Sequence, residues 1–174
     1  MGKDTAAAIL VEKYGFKRLA FADKLKEMAL DIDPVVTYDL SWRRLTRVVS
    51  EDGWEAAKRN HEVRRFLQAL GVAARDHLGP DVWVQPITRE LNSSTVYARH
   101  VITDVRFPNE FAALAQYSDA VLLKLTRESA PSAGNHISET ALADAEWDII
   151  MGNNGTLEDL EANLVAALGL EAAA

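Results

Sequence analysis

The chain has 174 residues, of which 48% are hydrophobic and 26% are charged, and its formal net charge is −7. This composition is typical of one globular domain with a hydrophobic core, and the negative charge argues against a general polyanion-binding surface. The absence of cysteine excludes disulfides and thiolate metal sites, and no apolar run reaches the roughly 20 residues that span a bilayer.

Hydrophobic periodicity and turn residues predict helices that alternate with strands. Helices are expected at 4–13, 23–30, 41–49, 55–78, 83–91, 109–116, 138–143 and 157–168. Strands are expected at 16–22, 97–105, 120–126 and 147–151, a flexible loop at 129–135 and a disordered end at 172–174. Because crossover helices join parallel strands, this order predicts an α/β fold with a mainly parallel sheet.

The segment Gly2-Lys3-Asp4-Thr5 precedes an apolar helix and has the sequence of the second half of a phosphate-binding loop. Backbone N–H groups at a helix start attract anions, while a lysine and a hydroxyl serve the phosphates and the metal. Asp4 stands where the usual loop has Ser or Thr. The alternative is a helix start capped by Asp4 or Thr5, and these four residues alone favour that alternative.

Asp104 and Arg106 follow the clearest predicted strand, where α/β sheets place their ligands. Asp104 could hold a metal or its water, and Arg106 could bind a phosphate as a fork. The alternative is an Asp–Arg pair that closes the strand, with Pro108 starting the next helix. The two interpretations stay equally open on these residues alone.

Two later segments carry weaker signals. Arg127 opens a stretch rich in Ser, Pro and Gly that leads to His136-Ile137-Ser138-Glu139, a pattern that suits either a lid over a triphosphate or a surface loop. Asn153-Asn154-Gly155-Thr156 follows the last strand and could border an adenine, although a simple turn is the safer interpretation.

A polar group in the middle of the chain could bind a nucleotide, its basic members taking a monophosphate, an amide reading a base edge and an aromatic ring stacking on the base. Its members are Asp23, Lys24, Arg64, Gln68, Arg75, Asp81 and Trp83. The alternative is a solvated helix face.

Together, GKDT, FADKLK, the helix from Gln68 to Arg75 with Asp81-Val82-Trp83, DVRFPNE, HISE and NNGT resemble the bacteriophage deoxynucleoside monophosphate kinase family. The resemblance keeps the same order over nearly the whole chain. It implies a P-loop NTPase-like three-layer α/β/α fold, the use of ATP with Mg²⁺, and phosphorylation of a deoxynucleoside monophosphate to the diphosphate.

The resemblance also implies residue roles. The implied catalytic residues are Lys3, Asp104, Arg106 and Arg127. The implied ATP-binding residues are Gly2, Lys3, Asp4, Thr5, Arg127 and Asn153. The implied substrate-binding residues are Asp23, Lys24, Arg64, Gln68, Arg75, Trp83, Arg106 and Glu139. The implied metal ligands are Thr5, Asp4 and Asp104.

The implied organisation is one kinase domain at 1–171, with a helical monophosphate-binding insertion at about 23–92 and a lid at about 127–140. The expected partners are ATP and the deoxynucleotide, without polymeric nucleic acid or membrane. A homodimer is allowed but not indicated. If the chain is phage-encoded, we expect it in the cytoplasm of the bacterial host.

One departure from the family concerns the segment before Gly2, where the family has an apolar strand and a glycine-containing loop. We expect translation to start upstream, and the chain as written to bind ATP poorly. Two alternative functions follow: another small-molecule P-loop kinase, acting on dephospho-coenzyme A or a phosphorylated metabolite, or a truncated, inactive nucleotide-binding module.

Overall fold

The computed structural model describes residues 2–95, 97–127 and 141–171, which group into two compact units. One unit, here called the sheet unit, comprises Met1–Ala20 and Ile87–Ala174. The other, here called the helical unit, is Phe21–Pro86. The boundaries of the helical unit lie close to those of the predicted insertion, whose role in binding a monophosphate stays a prediction.

The elements alternate along much of the chain, which confirms the predicted mixed α/β class. In chain order they are α1 (Lys3–Tyr14), β1 (Lys17–Leu19), α2 (Phe21–Ile32), β2 (Val35–Tyr38), β3 (Ser41–Arg44), α3 (Leu45–Ala57), α4 (His61–Leu78), α5 (Val84–Ser93), β4 (His100–Ile102), α6 (Pro108–Leu114), β5 (Leu123–Thr126), β6 (Ile149–Gly152) and α7 (Leu157–Leu168).

The sheet unit contains two parallel strand pairs. β1 pairs with β4, with Lys17 opposite His100, and β5 pairs with β6, with Leu123 opposite Ile149. Both pairs contribute to one apolar cluster, which is built on buried side chains of α1, β6 and α7. Its buried members are Ala6, Ile9, Leu10, Tyr14, Met151, Leu160 and Leu164, with Val101 of β4 and Leu125 of β5 packed against them.

The helical unit has its own core beneath an antiparallel hairpin of β2 and β3. Val36 and Tyr38 alternate with exposed neighbours along β2, so one face of the hairpin is buried, as expected for a period of two. The rest of this core comes from α2, α3 and α4, through Ala29, Leu45, Val48, Ala57, Val63 and Leu67.

The predicted helix at 41–49 is wrong at its start, because Ser41–Arg44 is the second strand of this hairpin. The turn between the strands uses Asp39 and Leu40 with φ of 48° and 61°. Two-residue hairpin turns of this kind usually contain glycine or asparagine, and a leucine gives no such signal. The turn residues therefore do not predict this hairpin.

The prediction of one helix at 55–78 is also wrong, because the helix is interrupted between Ala57 and His61 and forms the end of α3 and all of α4. The side-chain oxygen of Asn60 accepts hydrogen bonds from the backbone N–H groups of Glu62 and Val63, at 2.9 and 3.2 Å. This cap satisfies donors that a new helix leaves unpaired and so starts α4.

The remaining differences concern lengths. The predicted strands at 16–22 and 97–105 shrink to three residues each, and α2 begins already at Phe21. Residues 141–144 form a turn where the end of a helix was predicted, and the rest of that predicted helix lies outside the described residues. The predicted loop at 129–135 and the end at 172–174 also lie outside them.

A partly exposed ion pair joins α1 to α7. Lys13 Nζ pairs with Glu161, and the Tyr14 hydroxyl donates to Glu161 Oε1 at 3.2 Å. The hydrogen bond from Lys13 holds the pKa of Glu161 below its ordinary value, although partial burial opposes this. A carboxylate whose pKa is lowered by folding stabilises the fold above its unfolded pKa, and that stabilisation is lost as the pH falls through the folded value.

We expect Glu161→Gln to lower the midpoint of thermal unfolding at pH 7, because the variant loses the charged acceptor for Lys13. The difference from the wild type should shrink as the pH falls below the ordinary range of glutamate and then vanish. Thermal melts between pH 3 and pH 8 measure this, with the exposed Glu12→Gln of α1 as the control. A difference that is independent of pH would contradict the assigned role.

Two glycines should respond oppositely to alanine. At Gly71, inside α4, an added Cβ would meet only Arg75 Nη1 and Leu25 Cδ2 at 3.7 Å, an ordinary contact. We expect Gly71→Ala to raise the free energy of unfolding by about 0.5–1 kcal/mol through helix propensity. Gly53 has φ 77° and ψ 166°, which other residues rarely adopt, so Gly53→Ala should cost about 1–3 kcal/mol. Urea unfolding measures the free energy of unfolding of both variants. A change of the same sign in the two variants would contradict this expectation.

Candidate active site

Three candidate residues follow strand ends in the sheet unit. Asp104 comes two residues after β4, Arg127 directly follows β5, and Asn153 directly follows β6. Because Thr126 lies opposite Gly152, Arg127 and Asn153 leave neighbouring strands at the same edge. The Asn153 N–H donates to the Thr126 carbonyl at 2.7 Å, which fixes this edge.

Gly2 lies directly against Asn153. It is the N-terminal cap of α1 with φ 119°, and an ideal Cβ at this position would stand 2.1 Å from Asn153 Nδ2. Only hydrogen fits there while the amide keeps its place. The structure therefore brings together two residues, far apart in sequence, that were both predicted to bind the cofactor.

Lys3, Asp4 and Thr5 form the first turn of α1 and are exposed. Lys3 Nζ lies 2.8 Å from Asp4 Oδ2, but both side chains are largely exposed, and such a pair contributes little to stability. The first-turn N–H groups lack intrahelical acceptors and carry the positive end of the helix dipole. This turn thus offers a cation, a hydroxyl and backbone donors to an anion.

The loop after β4 is held by a buried acid. Glu110, which is 3% exposed, accepts hydrogen bonds at Oε2 from the backbone N–H groups of Arg106 and Phe107, at 2.7 and 3.1 Å. Asp104 is half-buried and the Arg106 side chain is exposed. Sequence reasoning named Glu110 only as part of DVRFPNE, although an acid at the third position of a helix is a capping signal.

In the helical unit, Arg64, Gln68 and Arg75 lie on one face of α4, since they are four and eleven positions apart on a helix of about 3.6 residues per turn. Arg64 and Gln68 are exposed and Arg75 is half-buried. Arg64 Nε donates to the Lys58 carbonyl at 3.2 Å. Gly71 lies on the same face, between Gln68 and Arg75.

Trp83, which could stack on a base, is buried in the structure. Its indole N–H donates to the Gly71 carbonyl at 3.4 Å, and Arg75 Nη1 donates to the same carbonyl at 3.2 Å. The indole ring is thus packed against α4, and it shares the Gly71 carbonyl as an acceptor with Arg75. Its contact with a substrate stays a prediction.

Asp23 and Lys24 take part in ion pairs within α2. Lys26 Nζ lies 3.0 Å from Asp23 Oδ1, and Lys24 Nζ lies 2.6 Å from Glu27 Oε2. Both pairs are spaced three residues apart and are partly exposed, so their side chains can exchange partners at small cost. Glu139 and His136 lie outside the described residues.

Comparison with known proteins decides the family. The family described as "Deoxynucleotide monophosphate kinase" matches residues 41–164. The chain belongs to this family. It is 28% identical over 179 residues to "Putative deoxynucleotide monophosphate kinase" of Acanthamoeba polyphaga mimivirus, with 96% of this chain and 90% of that protein covered. It is 26% identical over 126 residues to "Deoxynucleotide monophosphate kinase" of Enterobacteria phage T4, with 70% of this chain and 49% of the phage protein covered.

Family membership confirms the predicted resemblance and supports an enzyme that transfers a phosphoryl group to a deoxynucleotide monophosphate. The other functions considered, a kinase for a different small molecule and an inactive module, are not favoured by it. Within the described part of the chain, no helix is both long and apolar enough to cross a membrane.

The described residues of this kinase contain no group of three or more His, Cys, Asp or Glu side chains that could hold a metal. Mg²⁺ does not need one, because it keeps several waters and binds one or two carboxylates together with substrate phosphates. The oxygen atoms of Asp4, Thr5 and Asp104 are of the kind that Mg²⁺ prefers. Their role as ligands of a magnesium ion stays a prediction.

We expect Gly2→Ala to displace the side-chain amide of Asn153, because the new methyl group would occupy its place. Two-dimensional NMR spectra should show shifted NH₂ resonances for Asn153. The matched control is Gly15→Ala at the other end of α1, where φ is 71° but no atom lies within 4 Å of the added Cβ. Unchanged Asn153 resonances in Gly2→Ala would show that the contact does not form.

Proposed function

We propose that this kinase transfers the γ-phosphoryl group of ATP, bound with Mg²⁺, to a deoxynucleoside 5′-monophosphate and releases the diphosphate. The observation that carries the proposal is the family match over residues 41–164. The exposed first turn of α1, which adjoins Asn153, supports a nucleoside triphosphate as the phosphoryl donor.

On the donor side, we assign the phosphates of ATP to the first turn of α1. Lys3 would neutralise the phosphate charge, Thr5 and Asp104 would face the metal, and Arg127 would approach the triphosphate from the end of β5. Phosphoryl transfer requires positioning and charge neutralisation rather than a protein nucleophile, since an oxygen of the acceptor phosphate attacks. The scarcity of histidine and the absence of cysteine are compatible with this chemistry.

On the acceptor side, we assign the monophosphate to the face of α4 that carries Arg64, Gln68 and Arg75. Arg75 is suited to phosphate because its guanidinium is a planar, permanently charged fork whose orientation is set in part by the Gly71 carbonyl. The exposed amide of Gln68 can donate to and accept from a base edge. Asp23, Lys24, Trp83, Arg106 and Glu139 remain proposed substrate residues.

The direct test is an acceptor panel with ATP and Mg²⁺ that contains the deoxynucleoside monophosphates, dephospho-coenzyme A and phosphorylated metabolites. We expect diphosphate formation from at least one deoxynucleotide, detected by coupled ADP release and by chromatography. Phosphorylation of dephospho-coenzyme A alone would identify the other kinase, and no turnover with any acceptor would identify an inactive module.

The role of Lys3 is tested by Lys3→Ala, which should lower kcat by on the order of 10²-fold because a positioned cation is lost from the transferred phosphate. The fold should stay intact by circular dichroism, since the Lys3 side chain is exposed. Lys58→Ala, which also removes an ion-paired lysine that is partly exposed, is the control. Equal turnover of the two variants would refute the assignment.

The role of Arg75 is tested by Arg75→Ala against Arg65→Ala on the same helix. We expect Arg75→Ala to raise KM for the deoxynucleotide about tenfold, as for a lost charged hydrogen bond, and to leave KM for ATP unchanged. Steady-state kinetics with each substrate varied in turn separates the two. A rise in KM for ATP alone would place Arg75 on the donor side instead.

A further inference from the structure

We propose that Glu110 is a positioning residue for phosphoryl transfer, because its buried carboxylate fixes the loop that carries Asp104 and Arg106. The inference rests on the proposed function and adds a residue to which no role has been assigned. Glu110 itself touches neither phosphate nor metal in this proposal. It acts through the backbone of Arg106.

Burial is the first observation. Among the described residues, the buried polar or charged ones are Thr103, the first residue of this loop, and Glu110, in the first turn of α6. Burying a carboxylate costs much free energy unless hydrogen bonds compensate for it. The desolvation of the Glu110 carboxylate must therefore be offset by hydrogen bonds, and here the donors are backbone N–H groups.

The hydrogen bonds are the second observation. One oxygen, Glu110 Oε2, accepts from two consecutive backbone N–H groups, at 2.7 Å from Arg106 and at 3.1 Å from Phe107. Hydrogen bonds to an ionised acceptor are shorter and stronger than those between neutral groups. The pair fixes two consecutive peptide groups, the one before Arg106 and the one between Arg106 and Phe107.

The third observation is that the elements on both sides of the loop are fixed. Before the loop, β4 is held by its register with β1, where Leu19 lies opposite Ile102. After the loop, α6 is held by Leu114, which is 6% exposed. Between these fixed ends the chain has only residues 103–107, so the two bonds to Glu110 determine where Arg106 stands relative to Asp104.

Removal of the carboxylate should therefore affect turnover more than binding. A shift of about 1 Å in a positioning group can cost on the order of 10²-fold in rate, and Asp104 and Arg106 are assigned to the metal and the transferred phosphate. We expect Glu110→Ala to lower kcat by at least tenfold with KM for both substrates changed less than threefold. Glu110→Gln keeps a neutral acceptor oxygen and should restore most of kcat.

A merely structural role would lower stability alone, and Asp33 provides the matched control. Asp33 Oδ1 accepts from the Thr46 N–H at 2.9 Å, near the start of α3, where no proposed site residue lies. Asp33→Ala and Asp33→Asn repeat the same chemical changes at a helix start. We expect both to lower the midpoint of thermal unfolding and to leave kcat within twofold of the wild type.

A double-mutant cycle tests whether Glu110 acts through Arg106. Arg106→Ala should lower kcat, and Glu110→Ala added to it should lower kcat little further, since residues that act as one unit are not additive. Hydrogen exchange provides a readout independent of turnover: the amides of Arg106 and Phe107 should lose protection in Glu110→Ala and keep it in Asp33→Ala.

Three outcomes would overturn the inference: kcat of Glu110→Ala within twofold of the wild type, full additivity with Arg106→Ala, or unchanged protection of both amides. If the wild-type protein phosphorylates no deoxynucleotide, the proposed function fails instead. That result is distinguishable, because the exchange experiment still reports whether Glu110 holds the loop.

Discussion

The structure depends on how backbone N–H groups are satisfied where a strand or loop turns into a helix. Regular hydrogen bonding stops at these points, and each unpaired donor shielded from water would cost free energy. Side-chain oxygens supply the missing acceptors: Asn60 at α4, Asp33 at α3, Glu110 at α6 and Thr156 with Asp159 at α7. These residues determine where the helices begin, and hence where the loops before them can carry other side chains.

The same caps explain which elements could be predicted from sequence. Helix α7 has the predicted bounds, and the structure shows what sets them: Thr156 and Asp159 form a capping box, and Gly169 ends the helix in the left-handed region. The break at Asn60 is not part of the predicted helix at 55–78, although the polar run at 58–62 interrupts the apolar spacing there and asparagine is a preferred N-terminal cap. The β2–β3 hairpin was missed because Leu40 adopts a backbone conformation that leucine seldom takes.

The candidate site shows a similar division. The positions of Asp104, Arg127 and Asn153 after strands could be predicted. Because β5 and β6 pair in parallel, Arg127 and Asn153 lie at one edge, whereas Asp104 follows β4, which pairs with β1. The contact between Gly2 and Asn153 could not be predicted, because it depends on packing between segments distant in sequence. The Gly71 carbonyl is shared by Arg75 and by Trp83, which is 12 positions away, and this contact depends on how the chain after α4 turns back onto that helix. Trp83 illustrates the limit: residue type suggested a stacking surface, but burial and its indole hydrogen bond tie the ring into the helical unit.

The net charge of −7 and the proposed binding of triphosphate are compatible because electrostatic attraction in salt solution is short-ranged. At physiological ionic strength, exposed charges more than about 8 Å apart are largely screened from each other. A long polyanion samples the whole acidic surface and is repelled by it, whereas a nucleotide samples only its immediate neighbours. Lys3, Arg106 and Arg127 are exposed near the start of α1 or after a strand end, and under the proposed function they supply the local positive charge for the nucleotide. The electrostatic effect of these cations depends on where they lie. Their positions depend in turn on the hydrogen bonds that hold the loops, such as those from Arg106 and Phe107 to Glu110.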